Sequence, residues 1–164
     1  ICIMKELIEK LSEDDLFKQW QQDNAESFLS HLFCPLSADF QLKSNWEIGY
    51  HSNDKITVFV ANQNGFEIKP ADDVFKKQDA KVEPLKLDEV KLSFVQALDI
   101  LKEELPKSFP GALLGDGFII LQTYQEKTVW NFTFITKQLK FVNMKLNAGT
   151  GEVEDSQEID LVQK

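Results

Sequence analysis

The histidines and cysteines of this sequence are the first residues with the potential for chemistry. His31 precedes Cys34 by three positions, and on a helix this spacing would place an imidazole base beside a thiol nucleophile. No third group that would orient the imidazole is evident from the sequence. We therefore expect a helix-end histidine packed beside a buried thiol, and a thiol enzyme that uses Cys34 and His31 is the least favoured function. Cys2 could pair with Cys34, but two cysteines make no disulfide framework.

The other groups that could bind a metal or a phosphate are incomplete. His51 lies beside the polar turn at residues 52–54 and has too few neighbouring ligands for zinc. The acidic residues between positions 155 and 160 match no calcium-loop spacing and are typical of a solvated edge. Gly149-Thr150-Gly151 follows a predicted strand, opens no helix and brings no lysine, so it does not predict a phosphate cradle. We expect no catalytic, cofactor or metal site.

The charge balance narrows the classes of partner. The chain has 18 basic and 27 acidic residues, a net charge of -9, which argues against binding to nucleic acid or to anionic lipid headgroups. At 43% hydrophobic residues, the 164-residue chain can bury a substantial core. No apolar run reaches the roughly 18 residues that a membrane-spanning helix needs, so we expect no membrane insertion by this segment. The remaining partner class is a protein or a peptide.

The start of the sequence leaves the compartment open. Residues 1–4 run at once into a charged helical pattern, which is not the pattern of a secretory signal peptide. Two alternatives follow. The protein works in the cytosol if Met4 is the true start, and outside the cytoplasm if a leader or an anchor precedes Ile1.

The first half predicts a helix followed by an antiparallel meander. Ser12 and the acids Asp14 and Asp15 are typical of a helix start, and helical spacing continues to residue 33, with a weak point at residues 23–24 and a stop at Pro35. Alternating patterns then predict strands at residues 46–50, 55–62 and 66–69. A short helix is predicted over residues 70–77, where Asp72-Asp73 would again lie at a helix start.

The second half predicts the same plan. Ser93 and Gln96 have the spacing of a capping box, and an apolar stripe continues to Leu105 before Pro106. Strands are predicted at residues 118–124, 128–136 and 139–147, with a last edge strand near the C-terminus. In the central hairpin, alternation places Trp130, Phe132 and Phe134 on a buried face. It places Val129, Asn131 and Thr133 on the opposite face, which has the half-polar character of a recognition surface.

The two halves together predict an α+β fold of two tandem units. Each unit would consist of an amphipathic helix packed on an antiparallel meander of three to four strands. The first unit covers residues 1–77, a linker covers residues 78–91, and the second unit covers residues 92–164. The repeated order of elements predicts an internal duplication, in which the first unit is a diverged copy of the second.

The second half also carries a short motif. The helix SFVQALDILKEELP is followed by the strand VWNFTF and by the ending Asn147-Ala148-Gly149-Thr150-Gly151-Glu152-Val153. Residues 92–153 thereby resemble a PepSY domain, whose ending usually has Asp where this chain has Asn147. Asn supports the same turn, because its side-chain oxygen can accept the same backbone hydrogen bonds. The substitution weakens any role for a carboxylate in cation binding at that position.

The resemblance implies a non-catalytic domain of the kind found in peptidase propeptides, where it is thought to restrain or modulate peptidases. We expect a protein- or peptide-binding module, with a free sheet edge as a further place for an extended segment. The partner-binding residues would be Val129, Asn131 and Thr133, while Asn147, Gly149, Thr150 and Gly151 form a structural turn. The alternative is a structural or assembly domain that acts through self-association, for example as a homodimer.

Overall fold

A computed structural model describes residues 3–69 and 81–161 of the chain. The predicted helix over residues 70–77 and the residue Cys2 lie outside these ranges. In the first half, the elements are α1 (Ile3–Glu13), α2 (Asp15–Asp23), β1 (Phe28–Leu36), β2 (Glu47–Ser52), β3 (Lys55–Asn62) and β4 (Gly65–Lys69). In the second half, they are α3 (Phe94–Ser108), β5 (Leu114–Tyr124), β6 (Lys127–Thr136), β7 (Lys140–Asn147) and β8 (Val153–Asp160).

The eight strands form one antiparallel sheet in the order β4-β3-β2-β1-β5-β6-β7-β8. Each half contributes a four-stranded meander, and the two meanders join where β1 pairs with β5, from His31 opposite Gln122 to Leu36 opposite Gly117. We call this pairing the seam. The predicted α+β fold of two helix-and-meander units is confirmed, although the two meanders share a single sheet.

The predicted helix of the first half is wrong beyond residue 23. Asp14, not Ser12, caps α2, because its carboxylate accepts a hydrogen bond from the Leu16 N–H at 2.9 Å. Phe28 and Leu32 then belong to β1, where a register shift between Leu29 and His31 puts their side chains on opposite faces of the strand. Phe28 stacks on His51, and Leu32 is buried in the core. Pro35 does not end the element. The pairing with β2 stops earlier, at Phe33 opposite Glu47, and the pairing with β5 continues past the proline to Leu36.

The helix of the second half begins as predicted. The Ser93 hydroxyl accepts a hydrogen bond from the Gln96 N–H at 3.1 Å, and the Gln96 side chain accepts one from the Ser93 N–H at 2.9 Å. The predicted stop at Pro106 is wrong, because α3 continues to Ser108. The proline removes one intrahelical hydrogen bond, to the carbonyl four residues before it, and the helix ends two residues later.

All three helices pack on the same face of the sheet. The predicted inward row Trp130, Phe132 and Phe134 is buried there, as are Val142, Met144 and Leu146 of β7. The Phe94 ring at the start of α3 lies 6.2 Å from the Trp130 ring, and the Trp130 indole N–H donates to the Leu92 carbonyl at 3.1 Å. The central prediction, an aromatic hairpin beneath α3, is therefore confirmed.

Residues 81–91, predicted as a linker, lie against the end of the sheet. The Leu85 N–H donates to the Leu29 carbonyl at 2.8 Å, and the Thr123 hydroxyl donates to the Pro84 carbonyl at 2.7 Å. Leu85 is itself buried in the core. This segment is therefore part of the packed fold and connects the first strand of one meander to the first strand of the other. Among the described helices, none is long and apolar enough to cross a membrane.

Candidate functional site

The candidate site is the face of the sheet opposite the helices, which we call the open face. None of the three described helices packs on it. Asn131 and Thr133 of β6 lie on this face, as the alternation predicted, and both are partly exposed. Strand register places further polar side chains beside them, namely Gln122 of β5, Asn143 and Lys145 of β7 and Asp155 of β8.

These polar side chains form a continuous hydrogen-bonded row, which we call the amide ladder. Asn131 donates to the Gln122 side-chain oxygen at 3.1 Å, and Asn143 donates to the Asn131 side-chain oxygen at 2.6 Å. Asn143 also donates to the Thr133 hydroxyl at 2.9 Å. Lys145 donates to the Asn143 oxygen at 2.7 Å and lies 3.4 Å from Asp155. Because each side chain is held by its neighbours, the row crosses four strands with its polar groups already oriented.

Lys145 also accounts for the burial of Val129. The Lys145 side chain is only 11% exposed, and its ammonium lies 4.7 Å from the centre of the Tyr124 ring on β5. Val129 lies on β6, between the strands that carry these two residues, and it is 0% exposed. Of the three residues predicted to contact a partner, Asn131 and Thr133 are accessible and Val129 is not.

The open face becomes apolar toward the seam. The Phe33 and Phe118 rings lie 5.6 Å apart across β1 and β5, and Pro35 and Ile120 lie on the same face. All four side chains are partly exposed. The open face therefore combines an oriented polar row with a partly exposed apolar patch, which is typical of a protein-contact surface.

The turn between β7 and β8 carries the motif of the second half. The Asn147 side-chain oxygen accepts hydrogen bonds from the Gly149 N–H at 2.8 Å and from the Thr150 N–H at 3.0 Å. Gly151 has a φ of +82°, and a Cβ at this position would lie 2.7 Å from the Ile100 side chain on α3. The predicted turn thus uses the Asn side chain as expected, and its second glycine lets the turn approach the helix closely.

This turn, α3 and the aromatic strand β6 all lie within the part of the chain that matches a known protein family. Residues 91–157 match the PepSY family model. The family is described as "Peptidase propeptide and YPEB domain", and the matched residues run from the start of α3 into β8. The predicted resemblance of residues 92–153 is confirmed. No curated protein matches the chain.

A solved structure is similar to this chain over most of its length. It is the crystal structure of a candidate lipoprotein from Clostridium difficile 630, which is 13% identical in sequence and has a TM-score of 0.48. The alignment covers 90% of this chain and 97% of that chain.

The pair Cys34 and His31 lies outside the residues that match the PepSY family model, and the fold does not bring the two side chains together. Both residues are on β1, three positions apart, so their side chains point to opposite faces of the sheet. The Cys34 thiol donates to the Ser44 carbonyl at 3.1 Å on the core face, and burial raises its pKa. The His31 ring lies over Gly49 on the other face, within hydrogen-bond distance of the Ser30 hydroxyl. The proposed base and nucleophile therefore cannot act on one substrate.

The remaining candidates have structural roles. The His51 ring stacks on Phe28 with ring centres 5.0 Å apart. Asp14 and Asp15 lie at the start of α2, and Asp72-Asp73 fall outside the described ranges. Within those ranges, no group of three or more histidine, cysteine or acidic side chains could hold a metal ion. The sequence reasoning missed Gln122, Asn143 and Lys145, because only the register between strands places them beside Asn131.

Proposed function

We propose that this chain is a non-catalytic protein-binding module whose PepSY domain modulates a peptidase, with the open face as the contact surface. The observation that carries the proposal is the amide ladder. Asn131, Asn143 and Lys145 are fixed in place on a face that none of the described helices covers. A surface that is ordered before binding loses little side-chain entropy when a partner docks. The peptidase is suggested by the family description, "Peptidase propeptide and YPEB domain".

Charge also supports a protein partner at this face. Lys69 lies 3.1 Å from Glu47, and Lys145 lies 3.4 Å from Asp155, so basic groups of the open face are paired within the sheet. Paired ions and amides offer hydrogen bonds without a strong local field, and the Phe33 and Phe118 rings beside them offer apolar area. Such a surface favours a shaped protein contact over a purely electrostatic one.

The test uses the full chain against peptidases of the source organism, in pull-down and in inhibition assays. Thr133→Glu places a new charge on the open face beside the amide ladder. Val95→Glu places the same charge on the outer surface of α3, where Val95 is 63% exposed. Thr133→Glu is expected to weaken binding or inhibition by roughly tenfold or more, because it adds an unpaired charge at the contact. Val95→Glu is expected to change neither.

Two results would contradict the proposal. One is the absence of any partner or inhibition at high micromolar concentration. The other is an equal effect of Thr133→Glu and Val95→Glu, since a contact surface on the opposite side of the sheet cannot respond to both alike. Thermal melting of both variants checks that each remains folded.

The apolar patch supports a second candidate, a structural domain that self-associates. Phe118 and Ile120 would be covered by the same residues of a second copy, in a symmetric contact. Solution mass separates the two candidates. A stable dimer that Thr133→Glu converts to monomer favours self-association, whereas a monomer at all concentrations favours a separate partner.

A further inference from the structure

The outer edge of β8 ends the described sheet on the side of the second half. The Leu161 N–H donates to the Leu139 carbonyl at 3.0 Å, which identifies this pair as hydrogen-bonded. Because hydrogen-bonded pairs alternate along an antiparallel ladder, residues 159, 157 and 155 also direct their backbone groups toward β7. The N–H and C=O groups of Ser156, Glu158 and Asp160 therefore point outward. They form a template on which a further strand can pair.

The same edge carries an excess of negative charge. Residues 152–160 contain five acidic side chains and no lysine. Four of these acids lie within 4 Å of a lysine on β6 or β7. The Lys127–Glu154 pair is 2.6 Å apart, the Lys140–Glu158 pair 2.7 Å and the Lys145–Asp155 pair 3.4 Å, and Lys140 also lies 3.9 Å from Asp160. The lysines fix the acids but stand on β6 and β7, behind the edge, so an approaching strand meets the acidic side chains first.

The other end of the described sheet differs in charge. β4 carries one acidic residue, Glu67, and one basic residue, Lys69. An extended segment at β4 would therefore meet no net charge, whereas one at β8 would meet five acids against three lysines that stand behind the edge, a net negative charge. A second copy of this chain is a poor occupant of the β8 edge, because two copies of β8 would bring acidic side chains together. The charge thus selects a basic occupant and favours one edge over the other.

We propose that the outer edge of β8 binds a basic extended segment of a protein partner as a ninth strand. The segment has lysine or arginine at alternating positions. Its backbone pairs with Ser156, Glu158 and Asp160, and its basic side chains lie beside Glu158 and Asp160. The proposal rests on the proposed function in taking a protein as the partner, but it uses the edge of the sheet and not the open face.

The test measures binding of short fluorescent peptides to the full chain by anisotropy. An octapeptide of alternating Lys and Val is expected to bind, and its Glu-Val counterpart is not. A Lys-Val peptide methylated on alternate backbone nitrogens keeps its charge but cannot complete the strand pairing. It is expected to bind at least roughly tenfold more weakly, since main-chain hydrogen bonds carry affinity in strand addition. Equal binding of the methylated and unmethylated peptides would overturn the proposal, because charge alone would then explain the contact.

Variants of the chain locate the site. Glu158→Gln combined with Asp160→Asn is expected to weaken Lys-Val binding by roughly tenfold at low salt, because both acids face the added strand. Ser156→Pro removes one outward N–H and is tolerated on an edge strand, so it is expected to weaken binding while the melting temperature stays close to that of the parent chain. Glu67→Gln removes the one acidic charge of the β4 edge and is the control for the other end of the sheet, with no expected effect. No binding at all, or an equal loss in Glu67→Gln, would exclude the β8 edge.

The proposal for the β8 edge and the proposal for the open face can be contradicted independently. Thr133→Glu is expected to leave Lys-Val binding unchanged, because Thr133 lies on β6, two strands away from the edge. If the peptide does not bind β8 while a peptidase partner still responds to Thr133→Glu, only the edge proposal is wrong. If the peptide binds as expected and no peptidase partner is found, the proposed function is wrong, but the proposal of a peptide site at the β8 edge still stands.

Discussion

The last hairpin of each half closes on an asparagine turn, but the two turns are packed differently. In the first half, the Asn62 side chain accepts one hydrogen bond, from the Asn64 N–H at 2.9 Å, and the turn is largely exposed. In the second half, the Asn147 side chain accepts two, and the Ala148 carbonyl of the same turn accepts hydrogen bonds from the Lys91 and Leu92 N–H groups. The second turn thus joins the sheet to the segment that enters α3.

This difference in packing explains why the sequence of only one half carries a recognisable family motif. The second turn must keep its asparagine and its glycines because helix and sheet meet there, so its sequence is restricted by packing. The first turn needs the local hydrogen bond and a glycine at positive φ. A Cβ at Gly65 would approach only the Asp14 carboxylate at the start of α2, the end of one polar side chain and not a packed apolar group. Similar local geometry therefore leaves a recognisable sequence only where tertiary contacts restrict it.

The strongest test of this comparison replaces a tryptophan in each half. Trp130 is buried on β6, whereas Trp46, just before β2, is partly exposed, and their rings lie 6.3 Å apart. Trp130→Ala is expected to lower the free energy of unfolding by about 3–5 kcal/mol, and Trp46→Ala by about 1–2 kcal/mol, because a buried aromatic side chain leaves the larger cavity. Denaturant unfolding measures both. Equal losses would mean that the two halves contribute equally to the shared core.

A second test concerns the seam. Burial lowers the pKa of His31, which lies on β1, to about 4. The unfolded chain therefore binds the proton first as the pH falls below about 6.5, so stability decreases between about pH 6.5 and 4 and this contribution is constant below that range. The loss amounts to roughly 3 kcal/mol for a shift of this size. His31→Gln should remove this part of the pH dependence, as measured by urea unfolding at pH 7 and pH 4; identical pH profiles for the parent and the variant would rule the effect out.

A third test measures the packing of the second turn directly. Gly151 and Gly111 have nearly equal φ angles, +82° and +78°, but a Cβ would meet Ile100 at the first and no atom within 4 Å at the second. Gly111→Ala should cost about 1 kcal/mol from backbone strain alone. Gly151→Ala should cost about 2–3 kcal/mol, because the methyl group also displaces the helix contact. Thermal unfolding compares the two variants. Equal losses of stability would show that the packing of the turn against α3 does not restrict position 151.

The smallest expected effects come from the two asparagines. Asn147→Ala removes two side-chain hydrogen bonds from a partly buried turn and should cost about 1–2 kcal/mol, whereas Asn62→Ala should cost about 0.5–1 kcal/mol. Asn147→Asp keeps both acceptor positions, so we expect a change within about 0.5 kcal/mol. Chemical denaturation of the three variants gives the order. A larger loss in Asn62→Ala than in Asn147→Ala would reverse the comparison.

Sequence alone predicted the second half better than the first, for a physical reason. In β6 and β7 the apolar residues alternate, which fits a strand and excludes a helix. In β1 the apolar residues Phe28 and Leu32 are four apart, as on one face of a helix, but a register shift places them on opposite faces of a strand that is fixed by pairing with β2 and β5. Pairing partners so distant in sequence leave no local signal.

From the sequence, we could predict which face of the sheet carries the candidate site, but not which of its residues are accessible. Alternation assigns Asn131 and Thr133 to the face opposite the core, and the structure agrees. The same rule includes Val129, whose burial depends on Lys145 of β7 and Tyr124 of β5. A long side chain can cover a residue on the next strand only where the strand register places the two side by side. The register depends on the pairing of all the strands and is not visible in one strand's sequence.

The seam has a consequence for how the molecule folds. Apart from β1 and β5, every pair of neighbouring strands in the described sheet is also consecutive in sequence. Each meander can therefore form through short loop closures, which are fast, while the joining of β1 to β5 must wait for a long one. We expect the slow step of folding to be the docking of two partly formed halves, and a chain caught before that step would present two unpaired strands to its neighbours.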